Sequence, residues 1–558
     1  MGRKRRTFWT LDCETDPFKQ GRFPFPFIFG AYEGDSGEYV EFSTADELIA
    51  FFQDRQTVVY AHNGGKFDYH YLRYAINSDE PLLVINGRLA KFRIGVCEFR
   101  DSLNIFPNTR LKDFGNKLEI DYRLMEADRR CDARVMLEIK RYLRQDCVGL
   151  WEVIRRYWDE YGKGLTQAGS SMRVWQKMSG LQAPRQTKAQ HDLYRPYYYG
   201  GRVQCFERGI NHTDFSVADI NSAYPYAMLS AHPFSPAALF EDHLPPDGKL
   251  HQCLITLDCT SKGAFPWKAT DGELFFPEDE RQMRRYDITG YEFIAACDLD
   301  LVRNISIKTV YRFPLTIDFQ EYIQHFFAKR EYARKRGDIA GRIFGKYFMN
   351  SLYGKFGANP EKYSEFVIAS NESLGEWIEK GYIRYKPWGV RHLMVRNATP
   401  EELADPDGKW RYYNVATAAS VTGYVRAYLL RGIHKCAGVV YCDTDSIAAR
   451  KVGSLSEGTS LGQWKNEGTF DYYAIAGKKM YAFHKTGYGQ SYDSEADEEK
   501  RNWKIASKGV NFSKGMEIGG KFFSGPELIT KIAQGEIIEF DPEVPTYTIT
   551  RDMPVQAT

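Results

Sequence analysis

The sequence predicts a multidomain protein of the α/β and α+β classes, on the basis of chain length and two kinds of apolar pattern. The chain has 558 residues, enough for several domains of roughly 150 residues each. The first 40 residues alternate short β-like runs with Gly and Pro, whereas residues 133–158 have an uninterrupted helical pattern. This mixture predicts an α/β amino-terminal domain that ends near residue 185. Residues 318–350 predict one or two further long helices.

Composition excludes several classes of protein. Hydrophobic residues make up 43% and charged residues 27% of the chain, as in ordinary folded proteins. No apolar run approaches the ~20 residues of a membrane span, and the basic residues 1–6 are not followed by the apolar region of a secretion signal. The ten cysteines form no CxxC pair, which is typical of reduced thiols in a cytoplasm. The net charge of only +2 means that any polyanionic partner must be bound by local basic surface.

The first candidate site consists of carboxylates within the first 150 residues. Asp12 and Glu14 lie two residues apart on a predicted strand, so both side chains project from one face. Asp68 follows the next predicted strand, and Tyr142 and Asp146 lie one turn apart on the predicted helix. Two metal ions ~3.5–4 Å apart, held by four carboxylates, can activate a water for in-line attack on a phosphodiester. The pattern therefore predicts a nuclease site in which Tyr142 orients that water.

In the order DxE, NxxxFD and YxxxD, these motifs resemble those of 3′-5′ proofreading exonucleases. The resemblance implies that Asn63 and Phe67 bind an unpaired 3′ end by hydrogen bonding and stacking. Ser102 and Leu103 resemble part of a further single-strand-binding element of that domain. Two nearby histidines, His62 and His70, are predicted to be structural or exposed, since Tyr142 already fills the role of a base.

The second candidate site combines carboxylates from distant parts of the chain. Asp219 ends an apolar strand, and Asp443 and Asp445 lie between two apolar arms, as at the tip of a β-hairpin. Between them, Lys346, Asn350 and Tyr353 fall on one stripe of a helix. Each element alone is common in structural turns or amphipathic helices. That helix also belongs to a basic cluster for which we predict phosphate contact rather than a merely solvated face: Lys329, Arg330, Arg334, Lys335, Arg336, Arg342 and Lys346.

Together, the strings DxxSxYP at 219–225, KxxxNSxYG at 346–354 and YxDTDS at 441–446 resemble motifs A, B and C of the family-B DNA polymerases. Their order is that of the family, and the exonuclease motifs precede them as the family requires. The motifs extend from residue 12 to about residue 508. From them the chain is identified as a member of this family, with an RNase H-like exonuclease domain followed by a right-hand polymerase of palm, fingers and thumb.

The resemblance implies a role for each matched residue. Asp219 and Asp445 would bridge two Mg²⁺ ions, with Mn²⁺ as a substitute, Asp443 would support them, and the carbonyl of Ile220 would add a ligand. A further pair of ions would occupy the exonuclease site, held by Asp12, Glu14, Asp68 and Asp146. The incoming dNTP would contact Lys346 and the main-chain amides of Ser222 and Ala223. Tyr224 would act as a steric gate against a ribose 2′-hydroxyl, Tyr353 would pack beneath the nascent base pair, and Asn350 and Gly354 would line the templating position.

Three shorter elements resemble DNA-contacting motifs of the same family. They are YxGG with Tyr198, Gly200 and Gly201, TxxxR with Thr422 and Arg426, and KxY with Lys479 and Tyr481. Lys508 is either a further phosphate contact or an ordinary surface lysine.

Motif spacing resembles that of the protein-primed subgroup. The first exonuclease carboxylate is already at residue 12, whereas the wide intervals between Tyr224 and Lys346 and between Gly354 and Asp443 leave room for two insertions. The strings YAHNGGKFD, NSLYGKFG, YCDTDS and AIAGKKMYA most resemble polymerases of tectivirus-type phages with short linear genomes. The implied layout is an exonuclease domain at 1–185, palm at 186–229 and 412–512, an insertion that contacts the terminal protein at 230–322, fingers at 323–360, a second insertion around the template at 361–411, and thumb at 513–558. Within the second insertion, the runs at 365–368 and 382–385 predict a β-hairpin.

The predicted activity is therefore protein-primed DNA synthesis with proofreading and strand displacement, in the cytoplasm of an infected bacterium. The implied partners are template and primer DNA, dNTPs, a terminal protein and a single-stranded DNA-binding protein, with no membrane, and a monomer suffices because one chain holds every motif. Alternatives left open are a compact conventionally primed polymerase, an exonuclease-only relative with a decayed polymerase domain, and a DNA clamp or packaging-type DNA binder that retains only the fold. A reverse transcriptase fits less well, since its acidic turn has adjacent carboxylates.

Overall fold

The computed structural model describes residues 7–17, 23–115, 118–270, 272–405, 407–486, 502–507, 515–518 and 521–536. Lys508 and most of the predicted thumb at 513–558 lie outside these residues. Within the described part of the chain, no helix is long and apolar enough to cross a membrane. All ten cysteines are free thiols.

The amino-terminal region is built on a twisted sheet covered by one long helix. That helix begins after Asp132, whose carboxylate accepts hydrogen bonds from two main-chain amides of the first turn. Its buried face includes Leu143 and Cys147 and packs on the first two strands, which confirms the helix predicted over 133–158. The elements are β1 (Trp9–Thr15), β2 (Pro26–Glu33), β3 (Glu38–Phe42), α1 (Ala45–Phe52), β4 (Val58–Ala61), β5 (Pro81–Ile85), β6 (Arg88–Ile94), β7 (Cys97–Asp101), α2 (Ala127–Arg130), α3 (Ala133–Tyr161), α4 (Gln167–Ser179) and α5 (Lys188–Tyr194).

A second sheet of seven strands lies in the carboxyl-terminal half, in the order β25-β24-β23-β9-β22-β21-β8. It is antiparallel throughout, and a helix buried over most of its length, α12, packs against it. Its elements are β8 (Val203–Cys205), β9 (Gly209–Ile220), α6 (Ala223–Ala227), α12 (Val415–Ile433), β21 (Ala437–Asp443), β22 (Ser446–Lys451), β23 (Trp464–Gly477), β24 (Met480–Lys485) and β25 (Trp503–Ser507).

The segment predicted as the first insertion, 230–322, contains a four-stranded sheet in the order β11-β16-β12-β15. One helix of this segment, α7, packs against α12, so the insertion is attached to the carboxyl-terminal half by buried contact. Its elements are β10 (His232–Pro233), β11 (Leu239–Glu241), β12 (Cys253–Ser261), β13 (Trp267–Lys268), β14 (Leu274–Phe275), β15 (Arg284–Thr289), α7 (Gly290–Asp298), β16 (Val302–Arg312) and β17 (Thr316–Ile317).

Two antiparallel helices follow, α8 (Gln320–Lys335) and α9 (Ile339–Phe356), and they confirm the helical prediction for 318–350. The break between them is at Gly337, which adopts φ +68°, and Asp338 then caps α9 through its carboxylate. Phe326 and Phe348 stack between the two helices, with ring centroids 4.6 Å apart. This pair of helices packs against α4. It also shares one apolar core with Ala218 and Ile220 at the end of β9.

The segment 361–411 contains β18 (Ser364–Ala369), α10 (Leu374–Glu379), β19 (Ile383–Trp388), β20 (Arg391–Asn397) and α11 (Pro400–Ala404). The sequence predicted a hairpin from the runs at 365–368 and 382–385, and that pairing is wrong. Both runs contribute strands, but β20 lies between them and pairs with each. The hairpin is formed by β19 and β20, which are joined at Gly389, where φ is +64°.

This segment also extends the amino-terminal sheet. Phe366 of β18 lies opposite Leu82 of β5, and Val367 lies opposite Pro81, in antiparallel register. The result is one sheet of ten strands in the order β19-β20-β18-β5-β6-β7-β4-β1-β2-β3. The last described elements are β26 (Met516–Ile518), β27 (Lys521–Phe523) and α13 (Gly525–Ala533), which packs on β23.

Candidate functional site

Three carboxylates predicted from distant motifs meet at the ends of neighbouring strands. β22 pairs with β9 so that Ser446 lies opposite Asp219, one residue from Asp445. The amide of Ile220 donates to the carbonyl oxygen of Asp445 at 2.7 Å, which joins the two acidic motifs through the main chain. Asp443 ends β21, on the other side of the same turn. The structure therefore brings Asp219, Asp443 and Asp445 together at one edge of the seven-stranded sheet.

The turn that holds the two aspartates is tight and braced from outside. Thr444, between them, adopts φ +58°, a left-handed conformation that is costly for a β-branched residue. Its amide donates to the carbonyl of Arg202 at 2.6 Å, and its hydroxyl donates to Asp443 at 2.9 Å. A Cβ added at Gly201 would lie 2.7 Å from the Thr444 side chain, so this glycine of the YxGG motif is required by the turn itself.

Burial and mutual repulsion disfavour the charged forms of these carboxylates. Desolvation, with the charges of Asp445 and Glu467, raises the pKa of Asp219 to about 7. Desolvation, with the charge of Asp443, raises the pKa of Asp445 to about 6. Lys479 donates from Nζ to both carboxylate oxygens of Asp443, at 2.7 and 3.0 Å. Lys479, predicted to contact the primer, is thus an ion-pair partner of the turn in this structure.

The predicted gate residue lies directly beside the helix of motif B. The rings of Tyr224 and Tyr353 are stacked, although they belong to α6 and α9. Ser222, the residue before α6, adopts φ +54°, and its hydroxyl accepts a hydrogen bond from Arg330 at 3.3 Å. Asn350 donates to the carbonyl of Lys346 on its own helix. Motifs A and B are therefore in contact, as the predicted nucleotide site requires.

Cationic side chains line a cavity of about 470 Å³ next to α9. Arg330 projects from α8, and Arg342 and Lys346 from α9. Through Arg330 and Ser222 this cavity is linked to the strand that ends in Asp219. Three positive charges around a cavity of this size suit a polyphosphate. The remaining lining residues are Asn108, Thr109, Asp113, Ile343 and Tyr347.

The predicted nuclease carboxylates form a second, separate cluster in the amino-terminal region. Asp12 and Glu14 lie on β1, Asp68 begins a 3₁₀ turn after β4, and Asp146 lies on α3, which packs on β1. Burial, and then the charges of Asp68, Asp146 and Glu14, hold the pKa of Asp12 well above its ordinary value. Burial likewise raises the pKa of Glu14 to about 8 and that of Asp68 to about 6. Tyr142 lies on the same helix face, and desolvation together with the Asp146 charge raises its pKa.

The donor set of this cluster fits divalent cations. Glu14 and Asp68 are only 6% and 2% exposed, and one carboxylate oxygen of each, Oε1 and Oδ1, has no hydrogen-bond partner in the protein. Buried, repelling carboxylates with free oxygen atoms are the ligands that Mg²⁺ and Mn²⁺ prefer. Among the residues described here, no three His, Cys, Asp or Glu side chains converge on a single metal position.

The residues predicted to bind a single strand near this cluster are placed unequally. Phe67 is half-buried and packs against Tyr71, with ring centroids 5.9 Å apart. Asn63, the first residue of the NxxxFD motif, adopts φ +63°. Leu103 is half-buried. Ser102, by contrast, is fully buried and its hydroxyl bonds with Nδ1 of His62 at 2.9 Å. The Ser102 side chain therefore faces the protein interior, and its part in binding a single strand stays a prediction.

The two histidines, predicted to be structural or exposed, are both partly buried. Nε2 of His62 is 2.8 Å from the carbonyl oxygen of Thr109, so both ring nitrogens of His62 are used within the protein. Burial, with the nearby charges of Arg73 and Lys386, lowers the pKa of His70 to about 4. Neither ring is arranged as a base for the carboxylate cluster.

Among the shorter motifs, TxxxR has both of its defining residues buried. Arg426 is 3% exposed and pairs with Glu292 of the first insertion at 2.7 Å. Its Nη1 donates to the carbonyls of Tyr199 and Gly200, while Thr422 is buried and donates to Ala419. Both side chains lie inside the protein, and Arg426 contacts the YxGG loop, while the DNA contact predicted for Thr422 and Arg426 stays a prediction.

The other predicted contact residues differ in their exposure. Tyr198 is half-buried, and a Cβ added at Gly200 or Gly354 would meet no protein atom within 4 Å. Packing within the protein therefore does not require glycine at these two positions. A ligand that approaches the main chain closely would require it, because glycine has no Cβ. Tyr481 is 7% exposed and stacks on Phe483, which leaves little of its ring for a primer.

Sequence reasoning missed Glu467 and Arg202 at the polymerase-like site. Glu467 lies on β23, which pairs with β9 beside Asp219, and Lys504 of β25 is its ion-pair partner. Arg202 follows the YxGG motif and braces Thr444. Neither has a local signal, because both reach the site only through strand pairing between distant segments.

Comparison with known proteins agrees with the motif analysis. The family model described as DNA polymerase type B, organellar and viral, matches residues 116–387. Over 566 aligned residues the chain is 33% identical to the DNA-directed DNA polymerase of Enterobacteria phage PRD1, with 97% of this chain and 95% of that protein covered. It is 25% identical over 287 residues to the DNA polymerase of Bacillus phage phi29, covering 48% of this chain and 44% of that one.

A solved structure has a similar fold along nearly the whole chain. It is phi29 DNA polymerase complexed with primer-template DNA and incoming nucleotide substrates, which matches with a TM-score of 0.68 and 16% identity. The match covers 91% of this chain and 93% of that one. At this identity the similarity concerns the multidomain fold.

Proposed function

The chain belongs to the type B DNA polymerases of organelles and viruses, and from that membership we propose that it replicates a linear viral genome from a protein primer. It is a DNA-directed DNA polymerase. The proposal adds protein-primed initiation, strand displacement and 3′-5′ proofreading, in an RNase H-like exonuclease domain followed by palm, fingers and thumb. The observation that carries the proposal is the meeting of Asp219 and Asp445 beside a cavity lined by Arg330, Arg342 and Lys346.

In nucleotidyl transfer, the side chains of the site divide into two groups. Arg330, Arg342 and Lys346 bind the triphosphate and offset the charge that develops on the leaving pyrophosphate. Tyr224, held in place by Tyr353, fills the space that a ribose 2′-hydroxyl would need and so selects dNTPs.

Divalent cations held by Asp219, Asp445 and the carbonyl of Ile220, Mg²⁺ with Mn²⁺ as a substitute, would lower the pKa of the primer hydroxyl and neutralise phosphate charge. Asp443, paired with Lys479, fixes the turn from which Asp445 projects.

Proofreading is assigned to the amino-terminal cluster. Asp12, Glu14, Asp68 and Asp146 supply the acidic ligands for a metal-assisted hydrolysis, and Tyr142 positions the attacking water. Phe67 and Asn63 of the adjoining motif are assigned to stacking and hydrogen bonding with an unpaired 3′ end. Two separate clusters in one chain support alternation of a primer end between synthesis and removal.

Protein priming is supported by the two insertions and by their attachment to different parts of the molecule. The first insertion packs on the polymerase half through α7 and α12, and the second extends the amino-terminal sheet through β18 and β5. We assign the first to contact with a terminal protein and the second to the template channel. The working partners are then template and primer DNA, dNTPs, a terminal protein and a single-stranded DNA-binding protein, in the cytoplasm of the infected bacterium.

The test of priming uses radiolabelled dNTPs, Mg²⁺ or Mn²⁺, the purified enzyme and an extract of infected cells. After nuclease digestion, label on a distinct protein band in a denaturing gel, lost in Asp445→Ala, is the expected result. Robust extension of a DNA primer by the same preparation, with no labelled protein, would instead support a compact conventionally primed polymerase.

The test of strand displacement removes only the β19–β20 hairpin, by joining Gly381 to Ala398, because deletion of 361–411 would also strip β18 from the amino-terminal sheet. Primer extension on single-stranded template should continue, while extension through a downstream duplex should fall by about 10-fold or more. Undiminished synthesis through duplex DNA would refute the assignment of this insertion.

A further inference from the structure

Arg202 connects two parts of the molecule that neither motif analysis nor strand order links. Its main chain enters β8, the edge strand that pairs with β21 so that Val203 lies opposite Asp443. Its carbonyl oxygen accepts the 2.6 Å hydrogen bond from the amide of Thr444. Because Thr444 is in a left-handed conformation between the two aspartates, this bond helps to hold a turn that is costly on its own.

The side chain of Arg202 points the other way, into the first insertion. Nη1 donates to the carbonyl of Gly263 at 2.8 Å, and the guanidinium carbon lies 4.3 Å from the ring centroid of Phe276. Gln204 accepts from Nε at 3.1 Å and in turn donates to Glu278 at 2.7 Å. Gly263 itself, with φ +69°, donates to the carbonyl of Pro277. The guanidinium thus binds two loops of the insertion at once.

The environment of this arginine is unusual for a purely structural residue. It is only 3% exposed, and its guanidinium donates to the carbonyl of Gly263 and to the side-chain oxygen of Gln204, through which it reaches the carboxylate of Glu278. Burial of a guanidinium without a directly paired carboxylate is costly. Two of the interactions that offset this cost come from the insertion, namely those with the Gly263 carbonyl and the Phe276 ring. The side-chain oxygen of Gln204 on β8 accepts from both Nε and Nη2 and links the guanidinium to Glu278 of the insertion.

We propose that Arg202 is a positioning residue for nucleotidyl transfer, which makes the geometry of the turn at Asp443 and Asp445 depend on the docked position of the loops at 263 and 276–278. The inference rests on the assignment of Asp219 and Asp445 to the polymerase site. When these loops are docked, the guanidinium is fixed, the start of β8 is fixed with it, and the Arg202 carbonyl holds Thr444. A shift of the loops releases the guanidinium and loosens the same turn.

The experiment measures single-nucleotide incorporation on a primed DNA template at a series of Mg²⁺ and dNTP concentrations, together with 3′-end degradation of single-stranded DNA. Arg202→Met removes the polar contacts but retains much of the volume. Its kcat should fall by about 10- to 100-fold, the size expected when reacting groups are misplaced by about 1 Å. The KM for dNTP should stay within about 2-fold of the wild-type value, since Arg330, Arg342 and Lys346 of the cavity are unchanged. The Mg²⁺ concentration for half-maximal rate should rise, while 3′-end degradation should stay at the wild-type rate.

Phe276→Leu tests the same path from the side of the insertion, because Phe276 has no contact with the turn. It should change kcat and the Mg²⁺ requirement in the same direction but less, and the double variant should show less than the sum of the two effects in free energy. Arg450→Met is the matched control. Arg450 also ties β22 to the segment after β8, through Glu207, but it touches neither the turn nor the insertion.

The inference is overturned if Arg202→Met retains the wild-type kcat and Mg²⁺ requirement, or if synthesis and degradation fall equally with the melting temperature. If Arg202→Met does not fold, unchanged kcat and Mg²⁺ dependence in Phe276→Leu overturn it instead. Asp445→Asn separates this failure from a failure of the proposed site. Wild-type synthesis by Asp445→Asn would refute the site. An inactive Asp445→Asn together with a fully active Arg202→Met would refute only the role of Arg202.

Discussion

The rings of Tyr224 and Tyr353 stack with 4.5 Å between their centroids and 12° between their planes. One ring comes from motif A and the other from motif B, so the proposed gate residue is held by the helix of the proposed nucleotide site. Tyr224→Val should therefore admit ribonucleotides, and the ratio of kcat/KM for dNTP over rNTP should fall by at least about 10-fold. Single-turnover incorporation with each nucleotide measures this ratio.

Tyr224→Phe is the matched control, because it retains the stacked ring and loses only the hydroxyl. It should keep the discrimination of the wild type. Tyr353→Leu should weaken discrimination less than Tyr224→Val does, since it removes the support of the gate and leaves the gate itself. Unchanged discrimination in Tyr224→Val would contradict the assignment.

Two carboxylate clusters in separate sheets predict that synthesis and degradation can be abolished independently. Asp445→Ala should lower incorporation by about 10²- to 10³-fold or more and leave 3′-end degradation intact. Asp12→Ala combined with Asp68→Ala should do the reverse. Both activities are measured on one labelled primer-template, with and without dNTPs. Parallel loss of both activities in either variant would mean that the clusters serve one site.

Removal of metal should make the stability of the amino-terminal region depend on pH. Burial raises the pKa of Glu14 from its ordinary value of 4.5 to about 8, so the folded state favours the protonated carboxyl. Its contribution to stability is complete below pH 4.5 and is lost as the pH rises towards 8. In EDTA, Glu14→Gln should therefore melt near the wild type at pH 5 and several degrees above it at pH 8.5.

Mg²⁺ should reverse this ranking at pH 8.5, because it stabilises the charged carboxylate of the wild type and gains less from the amide. Glu38→Gln is the control, since Glu38 is exposed on β3 of the same sheet and remote from the cluster. The prediction fails if, in EDTA, the melting temperatures of the wild type and of Glu14→Gln change equally with pH. That result would show that Glu14 is charged when metal is absent.

Arg391 should help to hold the second insertion to the amino-terminal region, in addition to the pairing of β18 with β5. Its guanidinium donates to the carbonyls of Arg73, Tyr74 and Ile76. Arg391→Ala should destabilise this contact by about 1–3 kcal/mol, since hydrogen bonds from a charged donor are lost. Limited proteolysis between residues 370 and 400 should become faster by a corresponding factor. Arg384→Ala, at an exposed position on β19, should leave the cleavage rate unchanged.

The sequence predicted most of the chemistry of the sites and little of the assembly around them. Asp219 and Asp445 could be predicted from carboxylates that follow apolar strands, and Asp12 from its two-residue spacing to Glu14 on one strand, because each of these patterns is local in the sequence. The pairing of β18 with β5 could not, because any two strands of suitable apolar pattern can pair. The burial of Arg426 was missed for a related reason: its partner Glu292 lies in another segment, and no local pattern marks the pair.

The ten-stranded sheet has a consequence for how the protein is made. Strand β5 is translated long before its neighbour β18, which begins at Ser364. At about 5–20 residues per second, the interval amounts to tens of seconds. During that time the nascent amino-terminal sheet has an open edge at β5, and unpaired edges of this kind invite association between chains. The amino-terminal sheet can therefore be completed only after the ribosome has translated the third quarter of the message.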